Sequence, residues 1–123
     1  MGEAIGLVVV AGIFVAAALL VRHLSRAAAR GTLGPNHVAG MRTTATMSSP
    51  EAWRAGHAAA VVWTDVSTVA GIVLAVVGGA LAVAGSTGWA AGLILAASLV
   101  LLAGAIGGGV VAHRTAKAVR DRA

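Results

Sequence analysis

Cysteine and tyrosine are absent from this 123-residue chain, phenylalanine occurs once, proline twice, and only four side chains are acidic. Charged residues make up 11% and hydrophobic ones 59%, whereas a soluble domain is about one-quarter charged. The shortage of charge therefore excludes an ordinary soluble domain and predicts a membrane protein. The missing cysteines leave no disulfide to consider, and in a chain buried mostly in lipid they say little about redox compartment. With aromatics at 3%, no stacking platform stands beside the arginines, so the net charge of +5 does not point to nucleic acid.

Long apolar runs are what the chain has instead. Ala4 to Val21 gives 18 uncharged residues, Val66 to Ala84 gives 19 and Trp89 to Ala112 gives 24. Each is near the roughly 20 residues with which a helix crosses about 30 Å of hydrocarbon. None alternates as a transmembrane strand does. The expected architecture is all-α, with three transmembrane helices at about 4–22, 58–84 and 89–112. Glu3 precedes the first run and Arg22, Arg26 and Arg30 follow it, the reverse of a secretory signal peptide, so the run is expected to be a retained span. Gly6 stands where an amino-terminal acylation motif wants Ser or Thr.

The placement of the nine basic residues fixes an expected orientation. Five lie between the first and second runs and four follow the third. By the positive-inside rule the amino terminus is outside, the long loop (31–57) and the basic tail (113–123) are cytoplasmic, and Gly85 to Gly88, GSTG, is the outer turn. Such a turn makes the second and third spans antiparallel neighbours. Small residues at four-residue steps allow close helix approach in lipid. Gly104 and Gly108 supply them in the third span, beside Gly107 and Gly109, and Gly71, Ala75 and Gly79 in the second, with packing inside the chain preferred over a homodimer surface.

One polar passage interrupts all this: GMRTTATMSSPEAWRAGH, residues 40–57. Turn-formers Gly31, Gly34, Pro35 and Asn36 end the first helix near Arg30. SSPEAW then reads as a helix start near Ser49, with Ser48 or Ser49 as cap, Pro50 in the first turn and Glu51 completing a capping box with Ser48. Trp53 and Trp63 are expected at the headgroup boundary. Arg54, His57, Val61, Asp65 and Thr68 share one helical stripe. Asp65, the deepest charge, is either an interfacial anchor or a buried group paired with Arg54 or a loop arginine.

Catalysis finds no support. The histidines 23, 37, 57 and 113 show no metal-ligand step, no Gly-rich loop precedes Lys-Ser or Lys-Thr, and no Ser occupies a nucleophile elbow. His57 and Asp65 lie about 12 Å apart along one helix, too far for a direct hydrogen bond. The expectation is a protein that is not an enzyme and needs no cofactor or metal. Three spans without an inverted repeat also fit a transporter poorly; ion conduction through Asp65-lined oligomers is the remaining idea of that kind.

The polar passage resembles the signature of the SdpI family of small membrane proteins. The positions that carry the resemblance are Gly40, Arg42, Thr43, Thr46, Ser49, Glu51, Trp53 and His57, placed, as in the family, between one span and a following pair. Thr44 departs where proline is frequent, Ala58 departs where a basic residue is, and the family's namesake is longer. The resemblance implies immunity to a secreted antimicrobial peptide toxin and, for the namesake, retention of a transcriptional repressor at the membrane. Arg42, Thr43, Thr46, Glu51, Trp53, His57 and Asp65 are the expected partner- or lipid-binding residues, with Gly71, Gly79, Gly104 and Gly108 in helix packing. The same signature residues equally suit a structural part, capping the helix and folding the loop back. The expected partners are membrane lipids and a peptide toxin or soluble regulator. The alternative is an accessory subunit of a larger bacterial membrane complex, or a homo-oligomer.

Overall fold

The computed structural model describes residues 1–123. It contains three helices, α1 (Gly2–Arg30), α2 (Pro50–Val83) and α3 (Thr87–Arg122), and a single 3-10 turn, Thr46–Ser48, between the first two. All three helices are long and apolar enough to cross a membrane.

Local chemistry sets their ends. Gly31, at φ 81°, takes the left-handed conformation that terminates α1, and the amides of Gly31 and Thr32 bond the carbonyls of Ala28 and Ala27. At the start of α2 the Ser49 hydroxyl accepts from the Ala52 amide at 3.0 Å, and Pro50 occupies the first helical position. The expected capping box does not form. With Ser49 as cap, Glu51 falls one residue short of the box position, and the Ser48 hydroxyl donates instead to the Ala45 carbonyl at 2.6 Å. The α2–α3 connection is Ala84–Ser86, tighter than the GSTG turn expected, with Gly85 at φ 87° and the Ser86 amide bonded to the Leu81 carbonyl. The basic tail is not a separate segment, because α3 runs through it to Arg122.

The helix α2 is the middle of the molecule. It packs along both α1 and α3, which barely touch each other. The packing is small on small: a Cβ built on Gly104 would lie 2.1 Å from the Ser67 hydroxyl, one on Gly78 would meet the Ala90 carbonyl and Ile94 at 3.1 Å, and one on Gly56 would lie 2.8 Å from the Ala112 carbonyl. Backbones approach this closely only because the side chains are missing, which maximises dispersion contacts where lipid removes the hydrophobic preference. Gly104 and Gly108 both face α2 at this interface, whereas Gly71 meets Ala97 of α3 and Phe14 of α1, and Gly79 meets only Ala11 of α1. Gly78 takes the α3-facing place that Gly79 was expected to hold.

The large aliphatic side chains point outward. Leu95, Leu99, Leu102 and Ile106 on α3 are all more than half exposed, a pattern that suits acyl chains. Depth follows from the same runs: from Asp65 to Ala84 is about 28 Å of helix, one hydrocarbon thickness. Beyond this level the end of α1, the first four turns of α2 and the end of α3 project together. With the 31–49 loop they build a hydrogen-bonded head, whose apolar centre is Ala45, Ala52 and Ala116 with Val119.

Candidate functional site

The loop is folded back onto α2 by a chain of polar contacts. Asn36 starts it: its side-chain oxygen accepts from the amides of Val38 and Ala39, and its amide group donates to the carbonyls of Gly34 and Ala39. Gly40 follows at φ 105°, with its α-carbon against the Trp53 ring; a Cβ there would lie 2.5 Å from the indole. Only glycine allows both the backbone angle and the contact.

Trp53 is 1% exposed and its indole N–H donates to the Leu33 carbonyl at 2.7 Å. This corrects the expectation of a ring at the headgroup boundary. Trp53 is the largest side chain of the core, whereas Trp63 lies outside at 44% exposure with its ring over Gly107. His57 packs against Trp53 with the two rings tilted by 43° and their centroids 4.2 Å apart. The Met41 amide donates to His57 Nε2 at 2.8 Å, and Nδ1 stands 2.8 Å from the Trp53 carbonyl. Both bonds are satisfied only by the neutral ring carrying its proton on Nδ1.

A second clasp lies beside the first. The Thr46 hydroxyl donates to the Met41 carbonyl at 2.6 Å and accepts from the Thr43 amide at 2.8 Å, while the Thr46 amide donates back to the Thr43 hydroxyl at 3.1 Å. His113 of α3 reaches the same Thr43 hydroxyl with Nδ1 at 2.9 Å. The loop is thus tied to α2 through His57 and Trp53 and to α3 through His113. No spacing in the sequence singled out His113; its link to a signature threonine exists only in three dimensions.

Three signature residues remain outside this network, Ser49 as the cap of α2 and two others on the surface. Arg42 is exposed and its guanidinium donates to the His37 carbonyl, and Glu51 is exposed at the start of α2. Asp65 is not paired with Arg54 or with a loop arginine, as had been expected. Its carboxylate lies between two guanidinium groups from α1: Arg26 donates through both Nε, at 3.1 Å, and Nη2, and Arg22 Nε stands 3.1 Å away. Arg54 instead lies over Gly31. The correct partners were legible in principle. Arg22 is the first charge after one apolar run and Asp65 the last before the next, so antiparallel helices bring them to one level.

Between α1 and α3 runs a groove of about 520 Å³. Val21, Leu24, Leu101 and Leu102 form its apolar walls, Ser25, Thr64, Ser67 and Ser98 contribute hydroxyls, and Val38–Met41 of the folded-back loop close one end. It exists because α1 and α3 each pack on α2 and scarcely on one another.

A model of the SdpI/YfhL protein family matches residues 32–112, the loop together with α2 and most of α3. No curated protein and no solved structure matches the chain. With three helices fit to span a membrane and a family match over well over half its length, the chain is a multi-pass membrane protein that belongs to the SdpI/YfhL family.

Proposed function

We propose that the protein is a non-enzymatic receptor of immunity type in a bacterial plasma membrane, which captures an apolar segment of a peptide toxin in the groove between α1 and α3. The groove carries this reading. It presents Leu and Val walls to an apolar helix, hydroxyls for the few polar groups that such a helix exposes, and an end wall made of the signature loop. Most signature residues are then structural: Trp53, His57, Thr43 and Thr46 hold the wall in place, while Arg42 on the loop and Glu51 at the start of α2 stay on the surface for a soluble regulator. Toxin capture at Met41 and regulator binding at Arg42 share one short backbone segment, so an occupant of the groove is felt on the other side of the loop.

The test is protection. Expression in a strain sensitive to a secreted membrane-active peptide should confer resistance. Ser98→Leu and Ala105→Leu, which fill the groove from its α3 wall, should abolish it while the protein still reaches the membrane. Retained protection with a filled groove would move the toxin elsewhere. If the parent protects against no peptide and instead co-purifies with stoichiometric membrane proteins in mild detergent, the accessory-subunit reading replaces this one.

A further inference from the structure

The Arg22–Asp65–Arg26 cluster is unbalanced: two guanidinium groups share one carboxylate. The arginine side chains remain 40% and 39% exposed, the carboxylate 23%. Their level is the end of the apolar run of α1 and the start of that of α2, where the surroundings change from acyl chain to headgroup. A net positive charge there is poorly solvated on its hydrocarbon side, and needs a counter-anion more than the same charge in water does. Arg22 comes nearest to Asp65 through Nε, while its Nη groups make no hydrogen bond within the protein, and this edge presents the planar fork that matches a phosphate. Arg30 continues the same stripe, two steps of four beyond Arg22, and Arg54 stands near it over Gly31. Asp65 therefore does more than neutralise. It holds two flexible side chains in one orientation before any anion arrives.

We propose that this cluster is a binding site for the phosphodiester of an anionic phospholipid, with Arg22 and Arg26 as the ligating residues and Asp65 as the positioning residue. None of the three residues lines the groove, and the site is independent of the toxin-binding reading. Lipid held there bridges α1 to α2 at the membrane boundary, and both ligating arginines precede the region matched by the family model, which begins at residue 32.

The probe is phosphatidylglycerol titrated into full-length protein in phosphatidylcholine bicelles, read by the guanidinium Nε–H signals of Arg22 and Arg26 in NMR. Both signals should shift saturably with phosphatidylglycerol, and phosphatidylcholine in the same amount should leave them in place. Arg22→Gln keeps the Arg26–Asp65 pair and should weaken the binding about tenfold. Arg120→Gln, an equal loss of charge in the distal tail, should change it less than twofold. No saturable shift in the parent protein overturns the assignment whatever the variants do. Equal weakening by Arg120→Gln overturns it in favour of diffuse attraction, and the same shifts produced by inorganic phosphate without anionic lipid overturn the lipid in favour of a soluble ligand.

Discussion

At Gly40 three demands meet in one residue: a φ of 105°, the Trp53 ring against its α-carbon, and His57 Nε2 where a methyl group would reach within 3.0 Å. Gly40→Ala should therefore lower stability by about 2–4 kcal/mol, measured as the unfolding midpoint in detergent. An unchanged midpoint would show that the loop does not depend on this clasp. Thr68 predicts the opposite sign. Its hydroxyl is buried and has no hydrogen-bond partner, so Thr68→Val, which keeps the shape, should be neutral or stabilise by up to about 1 kcal/mol; clear destabilisation would reveal a partner for that hydroxyl. The sequence marks Trp53 and His57 as signature positions, but could not say that they face inward. A tryptophan near a span end is read as a boundary anchor unless the loop before it folds back, and that fold depends on Asn36, Gly40 and Thr46 acting at once.

Among the elements, the α2–α3 pair was the most legible. A short turn and glycines at four-residue steps are local signals, and both survive into three dimensions. Which glycine faces which neighbour was not legible, because Gly78 and Gly79 differ by one helical step and α2 has partners on two sides. The contrast between used and unused glycines is open to measurement. Gly104→Ala should separate α2 from α3 and lower the midpoint, since its Cβ collides with Ser67, and Ser67→Gly in the same chain should recover much of the loss, a coupling that a double-mutant cycle reports. Gly109, whose Cβ would meet nothing within 4 Å, should accept alanine with no loss or a gain of several tenths of a kcal/mol from helix propensity. Ser49→Ala removes the cap of α2 and should cost about 1 kcal/mol, again as a shift of the midpoint.

For the whole molecule the decisive property is direction across the bilayer. Both basic regions lie at the end that carries the loop, and only the amino terminus and Ala84–Ser86 lie at the other. Positive charge retained inside predicts that a cysteine at Ser86 reacts with an impermeant thiol reagent in intact cells and that one at Thr44 does not. The reverse labelling pattern would put the loop and its arginines outside. The chain has no native cysteine, so each single replacement reports alone.

The near-absence of contact between α1 and α3 also bears on how the protein is made. With a three-residue turn and a shared ladder of small residues, α2 and α3 form a closely packed hairpin, whereas α1 is held chiefly by docking on α2 and by the Asp65 ion cluster. Biogenesis then has a natural order, hairpin first and the leading helix afterwards, although the leading helix emerges earlier from the ribosome. Residues 1–34 and 35–123 produced as two separate polypeptides should reassemble in one membrane, and cutting the gene at this point is a way to ask whether the first helix is a structural partner or a detachable regulator.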